Sequence, residues 1–298
     1  LAYIINVMSI PPASKPQVFV GDNNVNAGYV TITDAKGNVI LQTGLPVYEK
    51  DEYISAENVH YVIISVSGSK AVAKEKQTHT SFQYRPVNKV LNPIAQNRTN
   101  SVPTQAAPRN VHVVIYHTHS DESYVPTSGT PSKPGKGDVY QVGSALKDSF
   151  DAAGISATHS LNNHGPHDIN AYHRSRRTAT QLLKERPDAA FDVHRDSAPL
   201  DSYATSINGL PSSRVMIVVG RSNPNIQTNL QFARNVKAKA DDLYPGLMRG
   251  IFIGKGDYNQ DLYPTSLLFE VGTEGNSLDA AERAIRYLSD SLISVLTR

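Results

Sequence analysis

From residue 111 onward, short apolar runs alternate with stretches whose apolar residues recur every three or four positions. That alternation restricts the chain to an α/β fold, a mostly parallel sheet flanked by helices. Val113-Val114-Ile115-Tyr116, Ala189-Ala190-Phe191-Asp192-Val193, residues 215–219 and Leu267-Leu268-Phe269 read as buried strands. Between them, Val139, Val142, Leu146 and Phe150 fall at helical spacing, and Gly154 is placed to end that helix. A second helix is expected over 175–185, stopping before Pro187, because proline disfavours helix in the residue ahead of it. Ile226, Leu230, Ala233 and Val236 mark a third. The last is the clearest: Leu278, Ala281, Ile285, Leu288, Leu292 and Val295 follow a 3.6-residue period behind the capping residues Asn276 and Ser277.

Upstream the pattern changes. Residues 29–85 read as a small β module: Val30 and Ile32 alternate with threonine, Asp34-Ala35-Lys36-Gly37 turns, and Val39-Ile40-Leu41 returns. A second hairpin joins Tyr61-Val62-Ile63-Ile64 to Ala71-Val72-Ala73 through Ser67-Gly68-Ser69-Lys70. Nothing in it points to catalysis, so a structural or docking role is expected. Residues 86–110 are rich in Pro, Asn, Gln, Ser and Thr, the composition of a linker that lets two modules move relative to each other. The catalytic domain is expected over 111–298. Segment 1–28 opens on an apolar stretch, LAYIINVMSI, about half the length needed to cross a bilayer, which reads either as an anchor stub or as a strand.

The three strands that run into polar residues define the candidate site. One leads into His117-Thr118-His119-Ser120-Asp121-Glu122, the second into His194-Arg195-Asp196, the third into Glu270-Val271-Gly272. In open α/β sheets ligands bind just beyond the carboxyl ends of the strands. The chain has no cysteine, which excludes disulfides, thiolate nucleophiles and Cys-based zinc sites, so a metal must be held by His and carboxylates. A catalytic zinc ion takes three protein ligands and leaves the fourth position to water, and His117, Glu122 and His194 supply such a set. Asp121 and Asp138 compete with Glu122 for the middle position, and His119 is a further alternative. Glu270 is the expected proton shuttle, since a carboxylate directly after an apolar run is costly unless something uses or pairs it. Of the remaining histidines, His112, His159 and His173 read as structural.

Other chemistries find less support. The 29 basic and 27 acidic side chains give a net charge of +2 with no dense basic block, so nucleic acid is not the expected partner. Gly254-Lys255-Gly256 lacks the spacing of a phosphate-binding loop, and no Gly-x-Ser-x-Gly elbow is present.

In combination, the stretch from Ile115 through His117-Thr118-His119-Ser120-Asp121-Glu122 to Tyr124, with Asp192-Val193-His194-Arg195-Asp196, Tyr258-Asn259-Gln260-Asp261-Leu262 and Leu267-Leu268-Phe269-Glu270-Val271-Gly272, resembles the stage II sporulation protein P family. His167-Asp168, Tyr172, Arg174-Ser175-Arg176 and Asn223-Pro224-Asn225 extend the likeness, and Asp51-Glu52-Tyr53-Ile54-Ser55 carries it upstream. The resemblance implies a membrane-anchored, Zn2+-dependent peptidoglycan hydrolase at the extracytoplasmic face of the membrane. It would be an N-acetylmuramoyl-L-alanine amidase, with endopeptidase activity on the crosslinks also credited to the family, acting with the sporulation proteins of the same stage designated D and M during engulfment of the forespore. The implied fold is that of the type 3 cell-wall amidases, whose glutamate ligand lies near the start of the first helix. This chain has Gly137-Asp138 there, so Glu122 in that role is a reading of this sequence alone. The alternative function is a non-catalytic peptidoglycan-binding or scaffolding module, and retention of His117, His194 and Glu270 favours the enzyme; a zinc carboxypeptidase or deacetylase is a third class.

Overall fold

The computed structural model describes residues 28–76, 110–168 and 170–297. The expected segment 1–28 and linker 86–110 lie almost wholly outside the described residues. The small β module folds as β1 (Val30–Thr33), β2 (Val39–Thr43), β3 (Glu52–Ser55), β4 (His60–Ser67) and β5 (Lys70–Glu75). Then follow β6 (His112–Tyr116), α1 (Val125–Ser128), α2 (Val139–Ala152), β7 (Ser156–His159), α3 (Ala171–Leu182), β8 (Ala189–Asp196), β9 (Ala204–Ile207) and β10 (Leu210–Ser213). The chain closes with β11 (Val215–Gly220), α4 (Ile226–Leu243), β12 (Met248–Gly254), β13 (Ser266–Thr273) and α5 (Leu278–Leu296).

The expected helices form where their apolar periodicity places them, and α5 starts as expected, with the Ser277 hydroxyl accepting from the Ala280 amide. The second helix begins four residues earlier than expected, at Ala171, because Ala171 and Ser175 turn inward although the stretch between them is polar. Two strands also run further than their apolar cores: β8 continues through His194 to Asp196 and β13 through Glu270 to Thr273. The chemistry-bearing residues are therefore strand residues, their directions set by the period of two.

One sheet of eleven strands, ordered β2-β1-β5-β4-β3-β12-β11-β13-β8-β6-β7, runs through the whole described chain, and β9 and β10 form a separate ribbon. From β12 to β7 it is mostly parallel, interrupted where β11 meets β13 antiparallel. The β module is not the separately moving unit expected from sequence. Its strand β3 pairs antiparallel with β12, Ile54 opposite Ile251, so the module prolongs the sheet. Val30, Ile32, Leu41 and Ile63 of the module also share a buried cluster with Met216, Val218, Phe252 and Leu268. Separating the two would strip water-excluded apolar surface from both.

The faces of the sheet have different covers. Val113, Ile115, Phe191, Val193, Ile217, Phe269 and Val271 point to one side, where α2, α4 and α5 bury them. On the other, α3 covers Val114, Tyr116 and Ala190, while the β module's cluster covers β11, β12 and Leu268. Between these covers, β8 and β13 present Asp192, His194, Asp196 and Glu270, all buried.

Candidate metal centre

Side-chain parity on β8 and β13 puts His194 and Glu270 on the face away from the three-helix layer, and the parallel ladder makes them partners on adjacent strands. The loop after β6 brings two further groups. His119, Glu122 and His194 each offer a donor atom, and these atoms lie within 4.8 Å of one another, a group able to hold a metal ion. His119 Nδ1 is 3.2 Å from Glu122 Oε1, and His194 Nδ1 is 3.6 Å from Glu122 Oε2. The Arg195 amide donates to Glu122 Oε2 at 3.0 Å, fixing the carboxylate from the backbone.

The structure brings together two of the three residues of the expected set. Glu122 and His194 come together, but His117 does not join them. It shares parity with Val113 and Ile115, so its ring enters the layer under α2, fully buried. There Nδ1 donates to the Val193 carbonyl at 2.8 Å and Nε2 lies 2.7 Å from His159 Nε2. Both nitrogens are engaged away from the cluster, and His119, two residues on and past the strand end, takes the expected place. Asp138 is also occupied elsewhere, accepting from the Tyr124 amide at 3.0 Å and from Lys133 Nζ at 3.0 Å at the start of α2. Asp121 accepts from Ser132 Oγ and from His167 Nδ1 at 3.0 Å.

Three further residues shape the centre. His167 stacks on His119 with ring centroids 3.8 Å apart, and Tyr172 stands edge-on to His119 at 5.6 Å. Asp192 Oδ1 lies 2.9 Å from His194 Nε2, outside good hydrogen-bond geometry, so the contact is electrostatic. Asp192 is itself held by the Thr118 amide at 2.8 Å and hydroxyl at 2.5 Å. Its position two residues before His194 on one strand is the only sequence signal for it.

Burial and mutual charge set the protonation of these groups. Burial alone would lower His194, but the carboxylates of Asp192 and Glu122 outweigh it and raise the imidazole well above its ordinary value. Burial likewise opposes ionised Glu122, and the imidazoles of His194 and His119 overcome it, holding the carboxyl well below its usual range. Burial pushes the Glu270 carboxyl well above that range, with Asp196 adding to the effect. Glu270 Oε2 has no hydrogen-bond partner among the described residues.

The model of the stage II sporulation protein P family, SpoIIP, matches residues 35–293. The chain belongs to that family. The SpoIIP match begins inside the β module and ends inside α5, so module and α/β part fall within one family region. Stage II sporulation protein P of Bacillus subtilis (strain 168) is 30% identical over 215 residues, 66% of this chain and 54% of that protein. The chain spans about half the length of this SpoIIP relative. Among solved structures, the N-acetylmuramyl-L-alanine amidase Ami1 of Mycobacterium smegmatis is similar with a TM-score of 0.44 and 14% identity, covering 64% of this chain and 99% of Ami1. The CwlD amidase of Clostridioides difficile, solved in complex with the GerS lipoprotein, gives a TM-score of 0.44 at 8% identity, covering 63% and 98%.

Proposed function

We propose that this chain is a zinc-dependent peptidoglycan hydrolase of sporulation that cleaves the amide bond between N-acetylmuramoyl and L-alanine, acting outside the cytoplasmic membrane with the same-stage proteins D and M. The observation that carries the reading is the convergence of His119, Glu122 and His194 beside a buried glutamate with an unpartnered oxygen. Two imidazoles and one carboxylate suit zinc, and three protein donors leave a position for water. A zinc ion bound there would supply an acidified water and polarise the scissile carbonyl.

The chain's own residues supply the rest. Glu270, whose carboxyl burial holds well above its usual range, takes up a proton at its free Oε2 and returns it to the leaving amine. Asp192 faces His194 Nε2, leaving Nδ1 for the metal, the arrangement in which a carboxylate orients a ligating histidine. Tyr172 and His167 pack against the His119 ring and hold its orientation. Among the described residues no helix is long and apolar enough to cross a membrane.

Metal analysis of the purified protein tests the reading together with stem-peptide release from purified peptidoglycan. About one zinc per chain is expected, lost in His119→Ala and His194→Ala but retained in His117→Ala, with release abolished by a chelator. Release that survives complete zinc removal defeats the proposal. No release under any condition, partner proteins included, would make the chain a binding or scaffolding module.

A further inference from the structure

Asp196 closes β8 two residues beyond His194, on the same face, and is 2% exposed. Its carboxylate collects five donors. Oδ1 accepts from Thr43 Oγ1 at 3.0 Å, the Gly44 amide at 2.8 Å and the Ser197 amide at 2.7 Å. Oδ2 accepts from the Tyr203 hydroxyl at 2.9 Å and from Arg249 Nη1 at 3.4 Å. Two of the five belong to the β module, where the chain leaves β2, and Arg249 also donates to the Gln42 carbonyl at 2.6 Å. The fit at this seam is tight: a β-carbon on Gly44 would stand 2.6 Å from Ser197 Cβ and 2.9 Å from its carbonyl oxygen.

The seam matters because the ladder beside it is irregular. Glu270 faces His194 and Thr273 faces Asp196, but the register shifts between those two pairs, where Gly272 adopts φ +74. Backbone pairing alone therefore does not fix the ends of β8 and β13 against each other. A buried carboxylate held from several directions ties the end of β8 to the chain leaving β2 and to β12, since each lost donor would leave charge uncompensated in an apolar setting.

We propose that Asp196 is a positioning residue: gripped by Thr43 and Gly44 of the β module, it holds the end of β8 so that His194 and Glu270 keep their facing geometry. The β module is then part of the reacting unit rather than an accessory to it. The proposal rests on the hydrolase reading for its turnover measurement and on the metal centre for its second.

Thr43→Val tests it in the full chain, removing the hydroxyl at constant volume, with Thr43→Ser as the conservative control and Asp196→Asn as a second lesion. Each is compared at a temperature where near-ultraviolet circular dichroism is native. Thr43→Val is expected to leave KM near wild type, lower kcat about tenfold through misplacement of the reacting groups, and weaken zinc binding in a chelator competition. Thr43→Ser should restore both, and Asp196→Asn should match or exceed the valine variant. Wild-type kcat and zinc affinity in Thr43→Val overturn the proposal, as does a defect that serine does not restore. A shift in zinc affinity in a protein that releases no stem peptide would sink the hydrolase reading and leave the role of Asp196 standing.

Discussion

A carboxyl oxygen without a donor inside a sheet is expensive to keep, and at Glu270 that cost coincides with the rung facing His194. Glu270→Gln matches the side chain in shape but cannot accept a proton. It should retain zinc and fold while turnover falls by roughly a hundredfold to ten-thousandfold, about 3 to 5 kcal/mol of barrier, read from kcat beside metal content. Zinc lost with the activity would make Glu270 a ligand. Glu270 and His194 are legible in the sequence because each sits in or against an apolar run that forces it to a fixed direction. His119 is legible only as an alternative donor, since a loop residue has no parity to read. His117 misleads because its strand is buried on both faces, and nothing local says which face holds the site.

At the scale of elements, α2 passes closest to the ends of β6 and β7 at one glycine. A β-carbon on Gly143 would lie 2.6 Å from His117 Nε2 and 2.6 Å from His159 Nε2, and the His117 ring cannot swing away without giving up its bond to Val193. Alanine at an interior helical glycine ordinarily gains about 1 kcal/mol. Overpacking of a filled interior costs about 1–3 kcal/mol, and here it should win. Gly143→Ala is therefore expected to lower stability by up to about 2 kcal/mol, measured by denaturant unfolding, and His117→Ala in the same chain should recover part of that loss. The four long helices are legible from their periodicity. Two strands that decide the architecture are not: β3 has four residues, and β12 carries Arg249 and Gly250 within its run, so both depend on each other's edge rather than on local pattern.

Across the whole molecule, the join between module and α/β part carries a titratable group. Glu52 on β3 lies 2.5 Å from His60 Nε2 and 2.8 Å from Lys76 Nζ, and its hydrogen bond to His60, with help from Lys76, brings the carboxyl from 4.5 down to about 2. A folded-state value below the unfolded one stabilises above about 4.5, and the contribution disappears as pH falls toward about 2. Since the carboxylate is a quarter exposed, solvent screening limits the effect to on the order of 1–2 kcal/mol. Unfolding curves of wild type and Glu52→Gln should converge across that window as the mixture becomes acidic and separate at neutral pH. The composition of 86–110 reads as a linker and that of 29–85 as a small sheet, but a hydrogen-bonded edge between distant strands leaves no mark in either stretch.

That shared edge also orders events in time. Ser55 finds its partner in Gly250, far along the sequence, so the edge of β3 away from β4 has nothing to pair with until β12 has been made and delivered. Contacts of such sequence separation form late and slow the approach to the native state. A newly synthesised chain must therefore carry an open, pairing-competent strand until the distant β12 has been made, exposed to any other extended segment within reach.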